Sequence, residues 1–142
     1  MKIYIAAPLF SEAEREWNVQ FCDLLKSWGL EVYLPQADGG VATELIKKGE
    51  AVAGVRKKIF AGDSEAVKAC DTLVAVLDGR VPDEGMLVEL GMAFALGKRC
   101  IGYQTDTRRF DRHGNNLMIE GCLSGIAETK DALRAFLTPN KK

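Results

Sequence analysis

Apolar residues along the chain fall into two patterns: short dense runs, and longer stretches where they recur every three or four positions. Ile3–Ala6, Leu30–Leu34 and Thr72–Leu77 are dense runs, and Pro8 and Pro35 close the first two. Thr72-Leu-Val-Ala-Val-Leu77 is apolar nearly throughout, which predicts a strand buried on both faces. Between the first two runs, Trp17, Phe21, Leu24, Leu25 and Trp28 follow a 3.6-residue period and predict a helix. Ser11 is a good N-cap for it, Glu12, Glu14 and Glu16 suit its early turns, and Gly29 is placed to stop it. Residues 41–60 also read as helical, but Gly49 and Gly54 predict a bend or two pieces. Asp63 is placed to cap a further short helix through Ala69.

Beyond the third strand the pattern predicts a helix over Glu84–Leu96 ended by Gly97, and a fourth strand over Arg99–Tyr103. Residues 104–116 are polar and read as a surface loop. A short helix near Asn116–Cys122, a brief strand near Gly125–Glu128 and a helix over Thr129–Leu137 complete the chain. Strand and helix therefore alternate with short connections, as in a parallel sheet covered on both faces. The expected fold is α/β: one flavodoxin-like, doubly wound domain over residues 1–142, five parallel strands in the order 2-1-3-4-5. In such sheets a ligand site lies beyond the carboxyl ends of strands 1 and 3. That rule selects the turn Ala6–Phe10, the turn Asp78–Gly85 and the segment leading into the third strand.

Composition narrows the functional classes. A length of 142 residues suits one domain, with 47% hydrophobic residues for a core and 27% charged residues for a surface. A net charge of −1 gives no bulk attraction to a nucleic-acid polymer or an anionic membrane. Nothing resembles a secretion signal or a membrane span. Cys22, Cys70, Cys100 and Cys122 are scattered with no C-x-x-C pair, which predicts reduced core residues, no metal site and a cytoplasmic location.

Candidate chemistry is acidic. The turn Asp78-Gly-Arg-Val-Pro-Asp-Glu-Gly85 runs into Met-Leu-Val-Glu-Leu-Gly91, so Asp83 and Glu89 lie six residues apart. Glu89 sits among apolar neighbours. Periodicity leaves it either facing solvent near a helix N-terminus or pointing into the cleft, where paired carboxylates serve glycosyl chemistry. No dinucleotide or triphosphate glycine motif is present. His113 is the sole histidine and reads as a solvated loop residue, which leaves no ordinary His-based triad. Arg108-Arg109-Phe-Asp-Arg112 reads as a solvated mixed-sign loop in preference to a phosphate site.

At these residues the sequence resembles the nucleoside 2-deoxyribosyltransferases. The likeness rests on Ile3-Tyr4-Ile-Ala-Ala-Pro-Leu-Phe10, on Asp63 ahead of the third strand, on Asp83, Gly85 and Glu89-Leu90-Gly91 after it, and on Asn116-Leu117-Met118. It implies that Glu89 is the nucleophile and that Asp63 exchanges a proton with the base. Asp83 would hold the sugar 5′-hydroxyl, and Tyr4 would position Glu89 or line the pocket. Ala7, Phe10 and Gly85 would border the substrate. Asn116 and Met118 would complete the site of a neighbouring subunit, implying at least a homodimer. Deoxynucleosides and free nucleobases would be the substrates, with no cofactor, in a reaction of nucleotide salvage. Family members can carry a tyrosine in a C-terminal tail, whereas this sequence reads Leu137-Thr-Pro-Asn-Lys-Lys142 there, so another group must orient Glu89.

Two rivals stand beside that expectation. One is a hydrolase of deoxynucleoside 5′-monophosphates on the same fold. Such relatives carry serine where this chain has Asp83, and a carboxylate ~4 Å from a phosphate charge would cost roughly 4 kcal/mol at an effective dielectric near 20. The other is a non-catalytic nucleotide-sensing module, which would have no need of a buried nucleophile.

Overall fold

Five short parallel strands carry the most apolar runs of the chain, and the order in which they pair fixes where a cleft can form. The computed structural model describes residues 1–110 and 114–138; Asp111, Arg112 and His113 of the polar loop lie outside the described residues. The strands are β1 (Lys2–Ala6), β2 (Glu31–Tyr33), β3 (Thr72–Val76), β4 (Arg99–Tyr103) and β5 (Gly125–Ala127). They pair in the order β2-β1-β3-β4-β5, all parallel, as the alternating pattern predicts. The helices are α1 (Glu12–Ser27), α2 (Ala42–Lys47), α3 (Val52–Ala69), α4 (Glu84–Ala95), α5 (Leu117–Gly121) and α6 (Lys130–Leu137), with a π-type turn over Pro35–Gly39.

Successive side chains of a strand point to opposite faces, so each strand feeds two cores. Ile3, Ile5, Val74, Val76, Ile101 and Tyr103 pack with Phe21 and Leu25 of α1 and with Leu133 and Leu137 of α6. Tyr4, Ala6, Leu73, Ala75 and Leu77 face the other way, against Ala66 and Val67 of α3 and Met86, Leu90 and Ala93 of α4. Each fully buried Leu or Ile here contributes roughly 1.5–3 kcal/mol. The second core holds Tyr4, and its α3–α4 cover becomes the wall of the site.

Ser11 caps α1 as expected. Its hydroxyl accepts from the Glu14 amide at 3.2 Å, while the Glu14 carboxylate accepts from the Ser11 amide at 2.7 Å and the Phe10 amide at 2.9 Å. The Arg15 guanidinium donates to the carbonyls of Leu9 and Phe10, so the turn after β1 is fixed by the first turn of α1.

One expectation is corrected. Asp63 does not cap a short helix; it lies inside α3, which runs unbroken from Val52 to Ala69. The break falls earlier, where Gly49 with φ of 94° ends α2, whereas Gly54 sits in the first turn of α3 and is tolerated. An aspartate inside a helix costs several tenths of a kcal/mol against alanine, a local preference that packing overrides. Val55, Ile59, Asp63, Ala66 and Val67 share one stripe by their spacing of four, four, three and one, so burying the stripe carries Asp63 inward.

The 104–116 segment is also less open than a surface loop. Gln104 is buried and exchanges two hydrogen bonds with Asn115 (3.1 and 2.8 Å), which clasps the ends of the loop. Arg108 pairs with Asp106, and Arg109 reaches Glu128 at 2.8 Å, so both guanidinium groups are engaged within the loop region.

Candidate active site

The cleft opens at the carboxyl ends of β1 and β3, where the chain leaves the sheet in opposite directions. A cavity of about 270 Å³ is lined there by Ala7 and Phe10 after β1, Asp63 of α3, and Asp83, Gly85 and Glu89 around the start of α4. Six of the nine residues singled out in the sequence thus border one cavity, and a seventh, Tyr4, is buried behind it with its hydroxyl on Glu89. Phe10 is 74% exposed and stands at the mouth, whereas Ala7 is buried at the base of the turn.

Glu89 lies beside the buried stripe Met86, Leu90, Ala93 of α4, which turns it toward the sheet and away from solvent. Its Oε1 accepts a hydrogen bond of 2.7 Å from the Tyr4 hydroxyl. Burial is the largest influence on its acidity, and the neighbouring Asp63 and Asp83 carboxylates add to it. The Tyr4 hydrogen bond opposes them, and the net effect pushes the group up to about 7 from its ordinary 4.5. Tyr4 is itself fully buried; burial and the two nearby carboxylates raise its pKa far above the ordinary phenol value, so it stays a neutral donor. Of the two places the resemblance implied for Tyr4, beside Glu89 or lining the pocket, the structure puts its hydroxyl against Glu89.

A second tyrosine, which the sequence reading did not single out, does the same for the other carboxylate. Tyr33 of β2 donates to Asp63 Oδ1 at 3.0 Å. It is paired in register with Tyr4 across the parallel strands, and the two rings stack with centroids 5.4 Å apart. Asp63 is half-buried, and burial raises its pKa while the Tyr33 hydrogen bond lowers it. The only trace of Tyr33 in the sequence is a polar-tipped aromatic at the carboxyl end of a strand; strand pairing makes it significant.

Asp83 is the N-cap of α4, and its Oδ2 accepts from the Met86 amide at 2.8 Å. A Cβ at Gly85 would approach that oxygen to 3.2 Å, so glycine leaves room for the capping carboxylate. The cap uses Oδ2 and fixes the aspartate at the cavity edge.

Asn116 and Met118 do not reach this cavity. Asn116 caps α5 by accepting from the Met118 amide at 2.9 Å, and Met118 and Leu117 are 72% and 77% exposed. A second, more apolar cavity of about 380 Å³ opens between α3 and α4 onto the same Asp63 and Glu89, bordered by Arg56, Phe60, Val88 and Met92. Among the described residues no group of three or more His, Cys, Asp or Glu side chains is arranged to hold a metal ion, and no helix is long and apolar enough to cross a membrane. All four cysteines are free.

A sequence model of the family described as nucleoside 2-deoxyribosyltransferase matches residues 3–129. The chain belongs to that family. Comparison with curated proteins finds no sequence match. Among solved structures, a conserved protein from Enterococcus faecalis V583 is 28% identical, with a TM-score of 0.77 over 94% of each chain. A 2-deoxyribosyltransferase from Bacillus psychrosaccharolyticus is 24% identical, with a TM-score of 0.76 over 94% of this chain and 90% of that one. A CMP N-glycosidase from Clostridium botulinum is 18% identical, with a TM-score of 0.60 over 96% and 98%. The last two likenesses concern the fold alone. The same scaffold therefore carries both a transferase and a hydrolase of N-glycosides, and the choice between them must rest on side chains.

Proposed function

We propose that the protein transfers 2-deoxyribose between nucleobases by double displacement through an ester on Glu89. The observation that carries this reading is the pair of carboxylates, Glu89 and Asp63, each hydrogen-bonded to its own tyrosine in one largely apolar cavity. Glu89 Oε1 is occupied by Tyr4, which leaves Oε2 to attack C1′ of the bound deoxynucleoside. As the C1′–O bond forms, the C1′–N bond breaks and its electron pair goes to the base. Asp63 supplies a proton to the departing ring nitrogen. An incoming base then attacks C1′ and gives its proton to Asp63, and the Glu89 carboxylate leaves. Two inversions retain the configuration at C1′.

The environment suits that division of labour. A poorly solvated Glu89 anion stabilises positive charge developing on the sugar more strongly than a solvated one could. A carboxyl raised above its ordinary range holds a proton closer to neutral pH, as a general acid needs. No step in this scheme calls on a metal or an organic cofactor. Asp83 at the cavity edge is read as the acceptor for the 5′-hydroxyl through Oδ1, the oxygen its cap leaves free. A 5′-phosphate there would face like charge, which favours free nucleosides over monophosphates.

Asn116 and Met118 are assigned to a second copy of the chain. They lie outside the chain's own cavity, and Leu117 and Met118 are exposed next to Asn116. The α3–α4 cavity, with apolar Phe60, Val88 and Met92, opens directly onto Asp63 and Glu89. An apolar tip and an apolar opening on the same molecule are complementary in an isologous pair. A homodimer would cover both and close the site to water.

The deciding experiment is incubation of the protein with a deoxynucleoside and a different free base. Formation of the new nucleoside is the expected result. Free deoxyribose alone would show a hydrolase, and absence of turnover on deoxynucleosides and monophosphates alike would show a binding module.

A further inference from the structure

Resting on the reading just given, we propose that Tyr33 is the positioning residue for Asp63, holding Oδ1 as an acceptor so that Oδ2 carries the proton exchanged with the base, in a niche that Gly39 leaves open. Three observations meet at this point. The Tyr33 hydroxyl donates to Asp63 Oδ1 at 3.0 Å. Its ring cannot swing away easily, because it stacks on Tyr4 and is held in register by β1–β2 pairing. The turn after β2 brings Gly39 so close that a Cβ there would stand 2.7 Å from Asp63 Oδ1 and 3.1 Å from the Tyr33 hydroxyl.

Asp63 is on a helix, and the terminal torsion of an aspartate is broad, so its carboxyl plane is weakly held by the chain itself. A carboxyl group that can rotate offers its proton in several directions, and only one points at the base. Fixing Oδ1 selects the orientation before substrate arrives, the kind of second contact that keeps a reacting group within a fraction of an ångström of its working position. The titratable and charged groups around Asp63 are Tyr33 from β2, Tyr4 from β1, Glu89 of α4 and its N-cap Asp83, with Arg15 of α1 and Arg56 of α3 lining the same two cavities. Among the described residues only Tyr33 makes a direct hydrogen bond to its side chain. The stacked tyrosines thus serve two different oxygen pairs: Tyr4 orients the nucleophile and Tyr33 the proton carrier.

The experiment uses Tyr33→Phe, which keeps the ring and its stack, with Gly39→Ala as a second variant that leaves Tyr33 intact and crowds Asp63. Donors are compared that differ only in whether the base must be protonated to leave. Both variants should lose roughly 10–100-fold in kcat/KM on donors that need protonation, and less than about threefold on donors that do not. In the free protein, the Asp63 carboxyl followed by ¹³C NMR should titrate at higher pH in Tyr33→Phe, because a hydrogen bond that favours the anion is gone. Equal losses on all donors, or none, would overturn the proposal and leave the transferase reading standing. A wild type that cleaves no N-glycoside would overturn both.

Discussion

The floor of the cleft and the corner at α5 are built from similar residue types to opposite ends. The floor buries polar tips among apolar walls: Tyr4 and Tyr33 satisfy Glu89 and Asp63, and no buried side-chain polar atom among the described residues lacks a partner. The corner does the reverse, exposing Leu117 and Met118 while Asn116, itself exposed, caps its own short helix. The hydrogen bonds that dress the two carboxylates are made within one chain. In the dimer proposed above, this corner is the part that meets a second copy. Residues that look alike in sequence, a carboxylate in an apolar helix and a methionine after an asparagine, are therefore read by different rules once burial is known.

Variants on the floor should be costly in activity and cheap in stability. Glu89→Ala is expected to lower exchange by roughly 10⁴-fold or more, in the range seen when a nucleophile is removed. With the unaltered protein, a 2-fluoro deoxynucleoside should leave one sugar mass on the peptide holding Glu89. Labelling at another residue would dissolve the floor's claim to be the site.

Asp63→Asn should cost roughly 10²–10⁴-fold, the usual loss for a general acid or base, and the deficit should shrink with bases that leave unprotonated. A uniform deficit would make Asp63 a structural member of α3.

At the rim, Asp83→Ser should weaken deoxynucleoside turnover by roughly 10–100-fold, since a charge-assisted hydrogen bond worth about 1.5–3 kcal/mol is lost. It should also raise turnover of the 5′-monophosphates. Serine is itself a good N-cap, so the start of α4 should survive and the effect should be one of recognition. The measured quantity is the ratio of kcat/KM for deoxyadenosine and its monophosphate. If the unaltered protein already prefers the monophosphate, the hydrolase reading wins.

At the corner, Leu117→Glu with Met118→Glu should leave the chain folded, shift it toward monomer in sedimentation, and lower exchange about tenfold, equivalent to about 1.4 kcal/mol at the shared site. A folded monomer with full activity would show that the floor is self-sufficient.

The smallest effect is on stability and carries a sign. Glu89 has a folded pKa of about 7 against an ordinary 4.5, so its contribution to stability is fully present below about pH 4.5 and is lost as pH rises through 7. Glu89→Gln should therefore be more stable than the unaltered protein at about pH 8, by roughly 1–3 kcal/mol, and the gap should close in acid. Activity should run the other way, rising as pH passes 7 and Glu89 ionises. Thermal melts and kcat profiles over the same pH range test both slopes.

The sequence by itself determined the order of strands and helices, because period-2 and period-3.6 burial, glycine stops and the Ser11 cap are local properties written in neighbouring residues. Its acidic turn pointed to Asp83 and Glu89, and the family resemblance added Asp63 and Gly85; the fold brings all four to one cavity. Only the tertiary structure decided how those carboxylates are dressed. Whether Asp63 caps a helix or rides inside one depended on burying the α3 stripe, and Tyr33 acquired a role only when β2 paired in register beside β1. Acidity likewise belongs to the assembled cleft, since it comes from water excluded by residues distant in sequence and from charges brought together across α3 and α4.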